Sequence, residues 1–142
     1  MIFLSSDHAG YQLKEELKRV LVGKNIEFAD LGTDSEEDVD YSDFGHALAE
    51  KVLAAEDSQG VGICGTGLGI SMTLNRHTGI RAARCVSTED AELARKHNDA
   101  NVLVLAGREA DPELAKEILE KFLNTDFEAG RHEDRVKKID IS

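Results

Sequence analysis

The chain has 142 residues, with 17 Lys and Arg against 28 Asp and Glu, so its net charge is −11. Nucleic acid and anionic membranes repel such a chain unless its cations are concentrated locally. Aromatics make up 5 % with no Trp, which argues against a base-stacking platform, and the two cysteines, Cys64 and Cys85, match neither a disulfide framework nor a zinc spacing.

Met1-Ile-Phe-Leu4 predicts a buried strand, broken by Ser5-Ser6-Asp7-His8-Ala9-Gly10. From Tyr11 to Val22, Leu13, Leu17, Val20 and Leu21 recur at helical spacing, and Gly23 stops that helix. Glu27 to Leu31 reads as a second strand. An acidic loop follows from Gly32 to Asp43, with Asp34, Glu36, Glu37, Asp38 and Asp40; loops of this kind in compact domains are often functional. Phe44 to Ala55 is helical, and Gly60 to Cys64 is a third strand. Gly65-Thr-Gly-Leu-Gly69 then leads into a helix through Asn75. Gly79 to Cys85 is a fourth strand. Thr88 to Lys96 is a helix capped by Ser87 or Thr88, with Glu89 and Asp90 in its first turn. Val102 to Ala106 is a fully apolar fifth strand. Pro112 opens the next helix, Asp111 to Leu123, where its missing N–H costs nothing. Arg131 to Ile139 reads as a short final helix.

Five apolar strands alternating with helices predict an α/β fold with a parallel sheet covered on both faces. The 41 % hydrophobic content suffices for one core, so residues 1–142 are read as one domain. No run approaches the roughly 18 apolar residues of a membrane span, and the strand-like start does not look like a signal peptide. A cytoplasmic protein is the expectation. In open parallel sheets the ligand crevice lies at the carboxyl ends of the strands. Asp7-His8, the acidic loop with Tyr41, Cys64 with its glycines, Ser87 and Gly107-Arg108 all occupy such positions.

Gly65, Gly67 and Gly69 between a strand and a helix let backbone N–H groups face an anion. The loop is not a dinucleotide fingerprint, because Ile70 stands at the last glycine position and no acidic residue follows about 20 residues on. The alternative is a plain tight turn. Cys64 is either a nucleophile or base near a helix start, or a small buried hydrophobe. Cys85 has only the structural reading. Asp7-His8 is an acid/base pair or a capping pair. His97 closes a helix, where the dipole favours it. His46 and His77 show no sequence partner and read as surface residues. Gly130 to Lys138 holds four cations against two anions. Within it, Arg131 and Arg135 are spaced to share a helical face and suit a phosphate dianion. The alternative is a solvated helix with Glu133 and Asp134 pairing locally.

Taken together, Ser6-Asp-His-Ala-Gly10, Asp40-Tyr41, Cys64-Gly-Thr-Gly-Leu-Gly-Ile-Ser71, Gly79-Ile-Arg-Ala-Ala83, His97-Asn-Asp-Ala-Asn-Val-Leu103 and Gly130-Arg-His132 resemble ribose-5-phosphate isomerase B. The wider family includes galactose-6-phosphate isomerase subunits. The resemblance covers nearly the whole chain. It implies a Rossmann-like α/β/α sandwich with a five-stranded parallel sheet, acting as a homodimer or homotetramer with sites shared between subunits. It implies no metal and no nucleotide cofactor. The implied reaction interconverts ribose 5-phosphate and ribulose 5-phosphate through a cis-enediolate. On this resemblance Cys64 is the base, Thr66 assists at the neighbouring oxygen, and the amides from Gly65 through Gly67 and Gly69 to Ile70 form the anion hole. Asp7 and His97 open the ring, His97 coming from the partner. His8, Arg131 and Arg135 hold phosphate, with Arg108 a further candidate. Tyr41 and Asn98 touch the sugar, and residues 130–142 contact a partner subunit.

Three departures leave these positions intact but leave the substrate open. Ser42 stands where the family usually has Pro, Met72-Thr73-Leu74 replaces smaller residues, and Glu133-Asp134 sits between the arginines. The same isomerisation on a hexose 6-phosphate or a tetrose phosphate is one alternative. A non-catalytic anion- or nucleotide-binding module is the other.

Overall fold

A computed structural model describes residues 1–141. The strands are β1 (Ile2–Ser6), β2 (Phe28–Asp30), β3 (Gln59–Cys64), β4 (Ala82–Arg84) and β5 (Val102–Ala106). The helices are α1 (Tyr11–Gly23), α2 (Tyr41–Ala54), α3 (Leu68–Leu74), α4 (Thr88–Asn98), α5 (Pro112–Leu123) and α6 (Glu133–Lys137). Short 3-10 turns cover His8–Gly10 and Gly130–His132. All strand pairs are parallel, in the order β2-β1-β3-β5-β4.

Side chains alternate along each strand, so each central strand feeds both faces. Ile2, Leu4, Val61, Ile63, Leu103 and Leu105 meet Leu13, Leu17, Ala91, Ala115 and Phe122 of α1, α4 and α5. Phe3, Cys64, Val102 and Val104 meet Leu48, Val52, Ile70 and Leu74 of α2 and α3. Right-handed crossovers demand this division. The β1–β2 and β4–β5 connections run one way across the sheet and the β2–β3 and β3–β4 connections run the other. The result is the expected three-layer sandwich.

Beyond shifts of a residue or two at other ends, the element bounds differ from the sequence reading chiefly in four places. β1 runs on through Ser5 and Ser6, which pair with Gly62 and Ile63 of β3. Both serines are buried, and Ser5 Oγ donates to the Phe44 carbonyl at 2.8 Å. β4 is confined to Ala82–Arg84, because Gly79 has φ +92° and the Arg81 N–H donates to the Asn101 side chain at 2.8 Å, outside the ladder. α2 begins at Tyr41, three residues before the expected Phe44, with Asp40 at its N-cap. The last segment starts as a 3-10 turn, so Arg131 precedes α6 while Arg135 lies on it.

The strand order reverses between β1 and β3, which opens a crevice at their carboxyl ends. An ion pair between a buried lysine and a partly exposed aspartate fixes one wall of it. Lys14 is fully buried on α1, and its ammonium donates to the two Asp30 carboxylate oxygens at 2.8 and 2.7 Å. Lys18 adds a third contact to Asp30 at 2.8 Å. Asp30 in turn accepts the Gly32 N–H at 2.9 Å. The Gly32 carbonyl accepts from Ser6 N–H, and Thr33 N–H donates to the Ser6 carbonyl, both at 2.7 Å. The pair thereby sets the end of β1 from which Asp7 projects. Burial pushes the Asp30 carboxyl up, but the hydrogen bonds from Lys14 and Lys18 outweigh it and hold it below 3.8.

Replacing Asp30 by Asn removes the main counter-charge of the Lys14 ammonium, leaving Glu15 at 3.2 Å as its remaining carboxylate, and is expected to cost about 1–3 kcal/mol in urea denaturation. The sign of the pH effect follows from the depressed carboxyl. Its contribution is complete above the ordinary value of 3.8 and is lost as pH falls through the lower folded value. The acid limb of the stability profile should therefore be shallower in Asp30→Asn than in the wild type.

Candidate active site

Asp7 leaves β1 with its backbone N–H donating to the Ile63 carbonyl at 3.2 Å. Its buried carboxylate accepts the Gly10 N–H at 3.1 Å. A Cβ on Gly10 would lie 2.6 Å from the Ile63 carbonyl oxygen, so glycine is what lets this turn sit on the end of β3. The capping role is present, and it holds Asp7 at the crevice. Nδ1 of His8 accepts the Val39 N–H at 3.2 Å. In the neutral imidazole that assigns the proton to Nε2, leaving it a donor. Nε2 lies 3.6 Å from the Asp38 carboxylate, so the acidic loop folds back over His8.

Cys64 is the last residue of β3 and is 4 % exposed, on the side packed by α2 and α3. Two backbone hydrogen bonds strap the exit of β5 to it. Gly107 N–H donates to the Cys64 carbonyl at 2.8 Å, and Arg108 N–H to the Gly65 carbonyl at 3.0 Å. The Arg108 side chain lies over Gly65, with its Cδ and Nη1 3.4 Å from where a Cβ would stand. Gly67 caps α3 at φ +77°, a left-handed geometry that L side chains resist. The Leu68 N–H donates to Thr66 Oγ1 at 3.2 Å. The remaining first-turn amides, through Gly69 and Ile70, have no acceptor in the helix ladder. The Tyr41 ring packs flat against Gly69, where a Cβ would come within 2.5 Å of ring carbons. Asp7, His8, Tyr41, Cys64, Gly65, Thr66, Gly67, Gly69, Ile70 and Arg108 thus gather at one edge of the sheet.

The other expected site residues lie elsewhere in the same chain. α4 starts after β4 at the carboxyl edge and runs back to the amino edge, where β5 begins. Val102 pairs with Gly60 and Ala106 with Cys64, so about 13 Å of strand separates the two edges. His97 and Asn98 end α4 on the far side. The His97 ring stacks on His132, with centroids 4.4 Å apart and planes at 17°. His97 Nε2 also lies 3.7 Å from Glu128. Desolvation, together with the neighbouring His97 and Arg131 charges, pushes the His132 imidazole below its ordinary pKa. Arg131 and Arg135 flank His132, both exposed, and neither makes an ion pair among the described residues. The local pairing with Glu133 and Asp134 that sequence allowed is absent among the described residues.

Several placements were not legible in the chain. Arg84 Nε donates to the Thr66 carbonyl at 2.7 Å and its Nη2 reaches Glu109 at 3.2 Å, so this residue braces the glycine loop. Its only sequence signal is a charge closing an edge strand. His46 and His77, expected to be unpartnered, share a 2.7 Å hydrogen bond because α2 and α3 pack side by side. Met72 points outward, whereas Leu74 is buried and Thr73 Oγ1 donates to the Gly69 carbonyl at 3.0 Å. Cys85 is structural as expected, and burial pushes its thiol up to about 12.

A family model described as ribose/galactose isomerase matches residues 2–139. The chain belongs to the ribose/galactose isomerase family. Within it, the chain is 42 % identical over 138 residues to ribose-5-phosphate isomerase B of Escherichia coli, covering 97 % of this chain and 93 % of that one. It is similar to the solved ribose 5-phosphate isomerase of Thermotoga maritima, at 50 % identity and a TM-score of 0.97, covering 99 % and 97 % of the two chains. It is also similar to ribose-5-phosphate isomerase B of Mycoplasma genitalium, solved with bound ribulose-5-phosphate, at 39 % identity and a TM-score of 0.92, covering 97 % and 92 %. The family match displaces the reading as a non-catalytic nucleotide module. No helix among the described residues is long and apolar enough to cross a membrane.

The glycine loop is open to a direct check at its left-handed residue. Gly67→Ala places a Cβ at φ +77°, 3.2 Å from Val104 Cγ1. It is expected to lower stability by about 1–2 kcal/mol in urea denaturation.

Proposed function

We propose that the protein is an aldose–ketose isomerase that interconverts ribose 5-phosphate and ribulose 5-phosphate through a cis-enediolate. The observation that carries this reading is the Cys64 thiol at the β1/β3 switch point, bordered by the glycine loop and by Asp7-His8. The Mycoplasma genitalium relative bound to ribulose-5-phosphate supports the substrate class.

Asp7 and His97 first open the sugar ring. The Cys64 thiolate then takes the proton from C2 and returns it at C1. As the proton leaves, negative charge grows on the adjacent oxygens. The amides of Gly65 to Ile70 are preorganised to receive it, and one such donor is worth about 3 kcal/mol. Thr66 passes a proton between the oxygens. The phosphate lies at the other end of the sugar, held by His8 through its Nε2–H and by Arg131, Arg135 and Arg108, which orients C1 and C2 toward the thiol. Tyr41 and Asn98 border the carbon chain. The scheme calls on no metal and no nucleotide.

Because His97, Asn98, Arg131 and Arg135 sit at the amino edge of their own chain, this site needs a second copy. A homodimer, alone or within a tetramer, in which the amino edge of one subunit meets the carboxyl edge of the other supplies all the groups. Residues 130–142 are then the segment that reaches the partner's cleft.

Complementation tests this directly. Cys64→Ala and His97→Asn should each abolish turnover of ribose 5-phosphate while leaving the circular dichroism unchanged. Unfolded together and refolded as a mixture, they should recover about a quarter of the wild-type activity, since half of the dimers are mixed and each mixed dimer has one intact site. Failure to recover any would refute the shared site, and turnover by Cys64→Ala alone would refute the base. Arg135→Ala should chiefly raise KM for ribose 5-phosphate, with a smaller loss in kcat. Across phosphorylated aldoses, ribose 5-phosphate should give the highest kcat/KM, and a hexose 6-phosphate in first place would reassign the substrate.

A further inference from the structure

His97, Glu128 and His132 form the one cluster of ligating side chains, among the described residues, whose ligand atoms all lie within 4.8 Å of one another. We propose that these residues bind a divalent transition-metal ion of the zinc class, and that the bound ion withdraws His97 from the reaction. The second half of this statement rests on the isomerase reading above; the first does not.

The donor set selects the metal. Two imidazoles and a carboxylate suit Zn2+ and its neighbours and leave a fourth position for water. Magnesium and calcium prefer oxygen donors throughout. Tetrahedral bonds of about 2.0–2.1 Å place ligand atoms about 3.4 Å apart. His97 Nε2 and Glu128 Oε1 are already at 3.7 Å. The imidazole rings must rotate out of their stack for both lone pairs to converge. The side chains of His97 and Glu128 are 38 % and 51 % exposed and His132 is buried, so the movement falls chiefly to His97 and Glu128.

The backbone brings the three residues together independently of any ion. Glu128 N–H donates to the Lys96 carbonyl at 3.1 Å, which docks Glu128 beside the end of α4. Ala129 and Gly130 both have φ +58°, so the chain turns back on itself and presents His132 to His97. His132 N–H closes that turn on the Ala129 carbonyl at 3.1 Å. Arg131 and Arg135 beside the site oppose a dication, so binding should be weaker than in a closed structural zinc site. A metal on His97 Nε2 occupies the lone pair that ring opening requires. The expected consequence is reversible inhibition.

The test is a calorimetric titration of the full chain with Zn2+ in phosphate-free buffer, repeated with Glu128→Gln and His132→Gln. One ion per chain is expected, with affinity falling at least tenfold or so in each variant. Cobalt in place of zinc should give the visible absorption of a four-coordinate site in the wild type and lose it in both variants. In the isomerase assay, zinc should inhibit the wild type, a chelator should restore activity, and Glu128→Gln should need proportionately more zinc. Absence of stoichiometric binding, or unchanged affinity in both variants, overturns the site. Inhibition of undiminished strength in Glu128→Gln overturns it as well, and points to the Cys64 thiol instead. If the metal-free protein has no isomerase activity, the functional reading fails, while the titration and the cobalt spectrum still decide the site.

Discussion

In an all-parallel sheet every crossover helix must carry the chain from the carboxyl edge back to the amino edge. Residues that follow strands and residues that follow helices are therefore separated by the length of a strand. Here that rule sorts the chemistry. Asp7 and Arg108 follow β1 and β5, Cys64 ends β3, and they meet at one edge. His97 and Asn98 close α4, and Arg131 and His132 follow α5, so they meet at the other. Neither group holds the proposed thiol base, the proposed ring-opening histidine and the paired arginines together. The proposed shared site is the simplest arrangement that reunites them.

Electrostatics work along the same division. At the carboxyl edge the acidic loop approaches His8, and the ion pair of the buried Lys14 with Asp30 fixes the segment from which that loop departs. The loop contributes carboxylates and one backbone donor, while the side-chain cations against the glycine loop are Arg108 at Gly65 and Arg84 at Gly67. At the amino edge, Arg131 and Arg135 make no ion pair among the described residues, in a protein of net charge −11. Two guanidinium groups side by side without a described carboxylate partner suit an anion from outside. The same neighbourhood places two imidazoles beside Glu128, so an anion site and a cation site would border each other at one edge.

Much of the fold was legible because its signals are local. β5, an uninterrupted apolar run, and α5, opened by Pro112, follow the sequence reading almost residue for residue. Two of the misplaced bounds share one cause. Ser5 and Ser6 look like strand breakers until the β3 ladder satisfies their backbone, and the fourth strand is cut short because Asn101 captures the Arg81 N–H. Both effects depend on chain segments distant in sequence. Arg84 under the glycine loop, Val39 on His8 and the His46–His77 pair are contacts of the same long-range kind, invisible to any local pattern.

The sequence by itself determined the layers and the parallel sheet and singled out the candidate reactive groups, because hydrophobic period and short motifs are written in neighbouring residues. It also carried the resemblance from which roles could be proposed for Cys64, the glycine loop and the two arginines. Only the tertiary structure decided which of these groups share an edge. That depends on strand order and crossover direction, which place Cys64 beside Asp7 and Arg108 and send His97 to Glu128 and His132 instead.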